Sequence, residues 1–212
     1  MALGKIKRDQ WLEMNRQMND GNTLYLASRS PRRVELLSQL GWRCLVIPAD
    51  IDETPHEHES AEAYVARLAQ EKARTACLGL GVNPSKPVLA ADTTVALDGL
   101  LLGKPVDDDD ARRMLTSLSG SRHQVHTAVA LVFNHKMALA LSCTHVEMMV
   151  LSEAQIEAYI ASGESRDKAG SYAIQGLAGA WIKRIEGSYS GVMGLPLYET
   201  AALLREQGWA VL

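Results

Sequence analysis

With 212 residues, 47% hydrophobic and 22% charged, the chain is long enough to build one substantial core and does not have the composition of a disordered segment. Its net charge of −3 provides no global basic field for nucleic acid or an anionic membrane, so any anion site has to be local. Three cysteines, Cys44, Cys77 and Cys143, show neither paired nor metal-ligand spacing, and no apolar run suits a bilayer or a signal peptide, which predicts a cytoplasmic protein with reduced thiols.

Residues 1–22 are polar, with Trp11, Leu12, Met14 and Met18 at roughly helical spacing before an Asn19, Asp20, Gly21, Asn22 turn. They read as an appendage to a domain spanning 23–212. Leu24 to Ala27 then predicts a short strand, Ser28 to Ser30 a turn, and Ser30 with Pro31 the N-cap and first position of a helix to Leu40. Arg32 and Arg33 fall in its first turn, where the macrodipole is positive and cations are unfavourable. An anion there would reverse that, since hydroxyls, free N–H groups and guanidinium forks converge on a phosphate. A basic surface turn beside an ordinary helix fits the local pattern equally.

Trp42 to Ile47 predicts a second strand, followed by the carboxylate-rich loop PADIDETPHEHES, whose His56 and His58 suit a solvated surface better than a metal site. Ser60 caps a long helix ended by Gly79 or Gly81, with an apolar stripe through Tyr64, Val65, Leu68, Ala69, Ala73 and Ala76. Lys72 projects from that stripe, as a snorkelling structural lysine or as an ammonium in an anion pocket. Val88 to Leu97 is a β run interrupted by Asp92, which is costly to bury without a cation or donors. Asp92 is therefore the best candidate for a catalytic or metal-binding carboxylate, the structural alternative being a strand-end cap. After a hairpin, Lys104 in Gly103-Lys104-Pro105 could reach the same pocket.

Asp107 to Asp110 precede a helix that Gly120 closes, so they suit its N-terminus better than a metal. His123–Phe133 and Met137–Val150 predict a hairpin about Asn134 and His135, with His123 and His126 on opposite faces and unable to ligate together. Ser152 and Gln155 form a capping box for a helix to Ala161. Residues 163–180 have the composition of a binding loop more than of a core, Trp181–Ile185 is a strand, residues 187–196 are a second glycine-rich loop, and Pro196 begins the last helix. The whole predicts an α/β architecture with a mixed sheet.

In order, ASRSPRR (27–33), EKA (71–73), ADT (91–93), GKP (103–105), DKAGSYAIQG (167–176) and GLP (194–196) resemble the Maf family of nucleoside triphosphate pyrophosphatases over roughly Thr23 to the C-terminus. The resemblance implies an elongated, two-lobed α/β fold similar to inosine triphosphate pyrophosphatases, with a nucleotide cleft between the lobes. It implies hydrolysis of the α–β phosphoanhydride of a nucleoside triphosphate, with a divalent cation, Mg²⁺ or Mn²⁺. It makes Asp92 the general base, places Ser28, Arg32, Arg33, Lys72 and Lys104 at phosphate-binding positions, and puts Glu53 with Asp92 near the metal. Arg33, Thr93 and Gln175 match the specificity positions of the dTTP and UTP subgroup, whereas the subgroup acting on 7-methyl-GTP is similar but has an acidic residue in place of Gln175.

The chemistry agrees: phosphoryl transfer needs positive charge where negative charge accumulates and an oriented, deprotonated water, and magnesium prefers hard oxygen ligands. The expected function is pyrophosphate release from dTTP and UTP, modified pyrimidine nucleotides included, serving nucleotide-pool cleansing or control of division and septum formation. The alternatives are 7-methyl-GTP as substrate or a nucleotide-binding regulator without turnover. Neither nucleic acid nor membrane is expected as a partner, and a homodimer is usual for similar proteins.

Overall fold

The computed structural model describes residues 22–81 and 84–211. Residues 1–21 of the N-terminal appendage lie outside the described residues. Among the described residues, seven strands form one mixed sheet in the order β2-β1-β3-β5-β6-β7, with β4 pairing β3 beyond the end of β1. They are β1 (Thr23–Leu26), β2 (Arg43–Val46), β3 (Val88–Leu97), β4 (Leu100–Leu102), β5 (Arg122–Phe133), β6 (Lys136–Met148) and β7 (Ile182–Glu186). The helices are α1 (Pro31–Gln39), α2 (Ala61–Leu80), α3 (Asp108–Leu118), α4 (Glu153–Ala161), α5 (Tyr189–Val192) and α6 (Leu197–Glu206). No helix among the described residues is long and apolar enough to cross a membrane.

β2, β1 and β3 pair in parallel, as short strands joined through helices require, while β3, β5, β6 and β7 pair antiparallel. The long hairpin turns at Asn134 and His135, both with positive φ, the conformation that two-residue hairpin turns demand. Alternation along β3 and β5 sorts their side chains between two cores. Val88, Ala90, Ala128 and Ala130 pack on α2 with Val65, Ala69 and Ala73. Leu89, Ala91, Val129 and Leu131 face the other way, onto Leu36 and Leu37 of α1 and Leu203 and Leu204 of α6. The small alanines let α2 approach the sheet closely, and the larger leucines fill the opposite layer, each contributing about 1.5–3 kcal/mol on full burial.

The same two strands continue into a third core around Val95, Val125, Met148 and the apolar faces of α3 and α4. β3 and β5 thus run through two lobes. Between them the sheet is interrupted. On one edge β3 pairs with β1 only at Val88 and Leu89 and with β4 only from Val95 onward, so that on this edge no strand among the described residues lies beside Ala90 to Thr94. The last bond on the β1 side is Ala27 N–H to the Leu89 carbonyl at 2.8 Å. By the alternation of a ladder, the backbone groups of Ala91 and Thr93 point into this gap.

Three local expectations are corrected. Ser30 occupies the N-cap of α1, but its side chain makes no capping bond. Residues 163–180 are less of a free loop than their composition indicates: two short 3₁₀ turns, Ala169–Ser171 and Leu177–Trp181, fold them, and Tyr172, Ile174 and Ala178 are buried in the third core. The loop 187–196 contains α5, and Pro196 is the N-cap of α6 rather than its first residue.

Candidate functional site

The gap in the sheet opens into a cleft of about 700 Å³, within the ~300–1,000 Å³ range of small-molecule sites. Its lining includes Ser28, Arg32, Arg33, Glu53, Lys72, Asp92, Thr93, Lys104 and Gln175, which is every candidate residue taken from the sequence. They come from β1–α1, the loop after β2, α2, β3, the turn after β4 and the segment before β7.

The floor is built on the α2 side. Asp92 shares the face of β3 that packs on α2, and Lys72 lies on the inward stripe of that helix. The Lys72 ammonium is 2.6 Å from Asp92 Oδ1 and 2.6 Å from Glu53 Oε1. Lys72 and Asp92 are 8% and 7% exposed, whereas the Glu53 side chain is 43% exposed, so Glu53 closes the cluster from the solvent side. Burial raises the Asp92 carboxyl above its ordinary value, against the opposing charges of Lys72 and Arg33. For Glu53 burial also pushes upward, but its bond to Lys72 and the charges of Lys72, Lys104 and Arg33 outweigh it and hold the carboxyl below the usual range. The two carboxylates are thus unequal, the buried one being the stronger base.

Glu53 owes its place to α2. Tyr64 donates to the Glu53 carbonyl at 2.8 Å, and Arg67 grips Glu59 with two bonds of 2.7 Å while also reaching the Thr54 carbonyl. The Arg67 and Glu59 side chains are 18% and 8% exposed, so solvent screens this pair little, and the bond to Arg67 lowers the Glu59 carboxyl to about 2. His56 and His58 stay on the exposed surface, as the sequence predicted.

The opposite wall is the β1–α1 turn. Ser28 Oγ accepts from the Ser30 amide at 3.2 Å and from Arg33 Nη1 at 3.0 Å, which leaves its own proton free for a ligand. Arg33 also donates through Nε to the Gly194 carbonyl at 2.8 Å and through Nη2 to Thr93 Oγ1 at 3.3 Å. It is therefore fixed by three elements at once. Arg32 has no hydrogen-bond or ion-pair partner among the described residues, and burial lowers its pKa while Asp167 opposes that. Its guanidinium stays charged and its fork is available. Lys104 stands exposed on the rim and Gln175 is exposed at the mouth.

Lys168 was not singled out by the sequence. It lines the cleft half-buried near Arg32, and burial is the main cause of its lowered pKa. The available signal was a lysine inside the glycine-rich DKAGSYAIQG segment, indistinguishable there from a surface cation. The loop bearing Gln175 is itself held from behind. Tyr159 donates to Glu164 at 2.9 Å and accepts the Ala173 amide at 3.0 Å, while the Leu177 amide donates to Glu164 at 3.1 Å. Gly176 gives the Glu164 carboxylate its room, because a Cβ there would stand 2.2 Å from it and push it from its bonds to Tyr159 and Leu177.

Among the described residues no group of three or more His, Cys, Asp or Glu side chains is arranged to hold a metal. What the cleft offers is two hard carboxylates, Asp92 and Glu53, converging on one cationic point now held by Lys72.

A cleft with a buried carboxylate–ammonium floor, a serine and paired arginines at a helix start, and further lysines at the rim has the donor chemistry to hold an anion beside one strong base. The chain matches the Maf-like protein family over residues 23–207 and belongs to that family. A protein of Methylobacillus flagellatus named dTTP/UTP pyrophosphatase is 57% identical over 188 residues, covering 89% of this chain and 94% of that one. Proteins of the same name from Nitrosomonas europaea and Chromobacterium violaceum are 53% and 54% identical, covering 90% and 88% of this chain and 97% and 95% of theirs. Among solved structures, the Staphylococcus aureus Ham1 protein aligns with a TM-score of 0.43 at 17% identity, over 60% of this chain and 72% of that one.

Proposed function

We propose that this chain hydrolyses dTTP and UTP to the nucleoside monophosphate and pyrophosphate. The observation that carries the reading is the Glu53–Lys72–Asp92 cluster on the cleft floor, facing Ser28, Arg32 and Arg33 across a space of nucleotide size. Asp92 takes the proton of a water whose oxygen attacks phosphorus at the α–β bridge. The bridging P–O bond breaks, and pyrophosphate leaves with the electron pair. Raised basicity suits Asp92 to this role, and its fixed bond to Lys72 prevents it from turning away. Arg32, Arg33, Lys72, Lys104 and the Ser28 hydroxyl stabilise the charge that builds on the phosphate oxygens, with no covalent intermediate required.

A divalent cation, Mg²⁺ or Mn²⁺, fits the donor chemistry. Asp92 and Glu53 would hold it, with phosphate oxygens and water completing the set, and bound there it would withdraw charge from the phosphates and acidify water. Gln175 at the mouth supports the pyrimidine preference over 7-methyl-GTP, because its amide offers a donor and an acceptor to a uracil or thymine edge. The same reading takes residues 23–212 as the catalytic unit and the enzyme as cytoplasmic.

The test is a panel of nucleoside triphosphates with Mg²⁺ or Mn²⁺, scored for pyrophosphate against orthophosphate. Pyrophosphate from dTTP and UTP is expected, and Asp92→Asn should bind nucleotide while losing turnover by at least ~10³-fold. Orthophosphate release, or a fully active Asp92→Asn, would overturn it. A chain that binds nucleotide and turns over none of the panel would instead support the regulator reading.

A further inference from the structure

Behind the cleft wall, Thr127 of β5 is buried, being 1% exposed, and lies opposite Thr93 in the β3–β5 register. Thr127 Oγ1 is 2.8 Å from the Gly191 carbonyl and 3.0 Å from Thr93 Oγ1. A carbonyl can only accept, so the single Thr127 proton is directed to Gly191. The proton between the two threonines must then belong to Thr93. A guanidinium can only donate, so the Arg33 Nη2 contact at 3.3 Å occupies one Thr93 lone pair. The chain of donors runs one way, from Arg33 to Thr93 to Thr127 to the carbonyl of Gly191. One lone pair is left on Thr93, and Thr93 is half-buried against the cleft.

We propose that Thr127 is a positioning residue for nucleotide selection: it fixes the Thr93 hydroxyl as an acceptor toward the cleft, so that the ligand atom seated there must be an N–H or O–H donor. This rests on the nucleotide reading above. In a pyrimidine deoxynucleotide such a donor has two sources, the imino N3–H of thymine or uracil and the 3′-hydroxyl of the sugar. A free threonine hydroxyl would accept or donate as needed and would discriminate nothing. A hydroxyl whose proton is already committed rejects a ligand acceptor by leaving two lone pairs face to face, the arrangement that makes specific sites costly to enter wrongly.

The experiment is calorimetric binding to the full chain carrying Asp92→Asn, so that turnover does not enter. The ligands are dTTP, N3-methyl-dTTP and 3′-deoxy-dTTP. One of the two analogues should bind at least ~10-fold more weakly than dTTP, and which one identifies the donor. Adding Thr127→Val should weaken dTTP about 5-fold and the penalised analogue less than 2-fold, because the analogue has no donor to lose. Thr127→Ser, which keeps the hydroxyl, should restore the dTTP preference. Uniform weakening of all three ligands by Thr127→Val, or no penalty for either analogue in its parent, would overturn the inference. Absence of pyrophosphate release by the unmodified enzyme would sink the hydrolase reading while leaving this binding pattern intact.

Discussion

The ammonium of Lys72 lies 2.6 Å from the Asp92 carboxylate, and both groups are buried. Because the same nitrogen also bonds Glu53, one cation separates two acids that would repel each other across the cleft floor. Lys72→Met removes that cation but keeps the length of the side chain. Unfolding in urea should show a loss of roughly 2–3 kcal/mol, below the full cost of orphaning a buried charge because Glu53 can turn to solvent. Activity should fall more than ~100-fold. Stability unchanged to within the error of the urea curve would show that Lys72 is not what compensates Asp92.

The pH profile follows from the direction of the Asp92 shift. A base acts only when ionised, and burial raises this carboxyl above its ordinary value near 4. Turnover should therefore decline as pH falls through that raised value, with an acid limb lying above the usual carboxylate range. The check is kcat/KM from pH 4 to 8, which reports the free enzyme before metal and triphosphate bring their own charges to Asp92. A limb at or below pH 4 would assign the base to another group.

Gln175 is presented by a segment clamped through Glu164 and Tyr159. Glu164→Ala releases the Leu177 amide and the Tyr159 hydroxyl without touching the floor of the cleft. The expected result is a KM for dTTP raised about 10-fold with kcat within about 3-fold, since a loosened recognition loop costs binding and leaves the chemistry in place. A fall in kcat with KM unchanged would argue that the clamp serves the reacting groups.

His123, 1% exposed, bonds the Tyr172 hydroxyl at 2.8 Å through Nε2, and burial lowers its pKa from 6.5 to about 4. The unfolded chain takes up the proton first. The folded state therefore has its full advantage above pH 6.5 and loses it as pH falls from there through about 4, by as much as about 3 kcal/mol. His123→Gln keeps a polar group toward Tyr172 but cannot titrate. Its stability in urea should be flatter than that of the parent between pH 6.5 and 4, and parallel curves would remove His123 as the cause.

Gln175→Glu replaces the exposed amide at the mouth by an acceptor-only carboxylate. Losing the donor and adding negative charge beside a triphosphate should lower kcat/KM for dTTP and UTP about 10–100-fold. Activity on 7-methyl-GTP, measured alongside, should fall less, and an equal loss on both substrates would leave Gln175 without a role in selection.

Much of the fold could be read locally. The capping box at Ser152, the cap at Ser60 and the long hairpin all depend on neighbours within a few residues, and the structure places them as expected; the acidic run read as preceding α3 instead supplies its N-cap, Asp107, and its first turn. Asp92 and Lys72 were visible because each breaks an apolar pattern, which is costly unless a partner exists. The ordered motifs specified the family, because each is a short segment whose residue types are set by what it must touch.

Other features depended on distant parts of the chain. The glycine-rich segment around Tyr172 concealed its core residues, because polar and small neighbours mask which side chains turn inward. That Lys72 would stand between Glu53 and Asp92, residues 19 and 20 positions away, follows only from α2 crossing β3 at that point. The cleft itself exists because β1 ends before β4 begins on the same edge of β3, a matter of strand pairing rather than of any local residue preference. The direction of the Thr93 proton is set two bonds further off, at Gly191. The sequence determined which chemical groups are present and which of them need partners. Tertiary structure decided which groups meet, because hydrogen bonds and ion pairs form over about 3 Å in space whatever their separation along the chain.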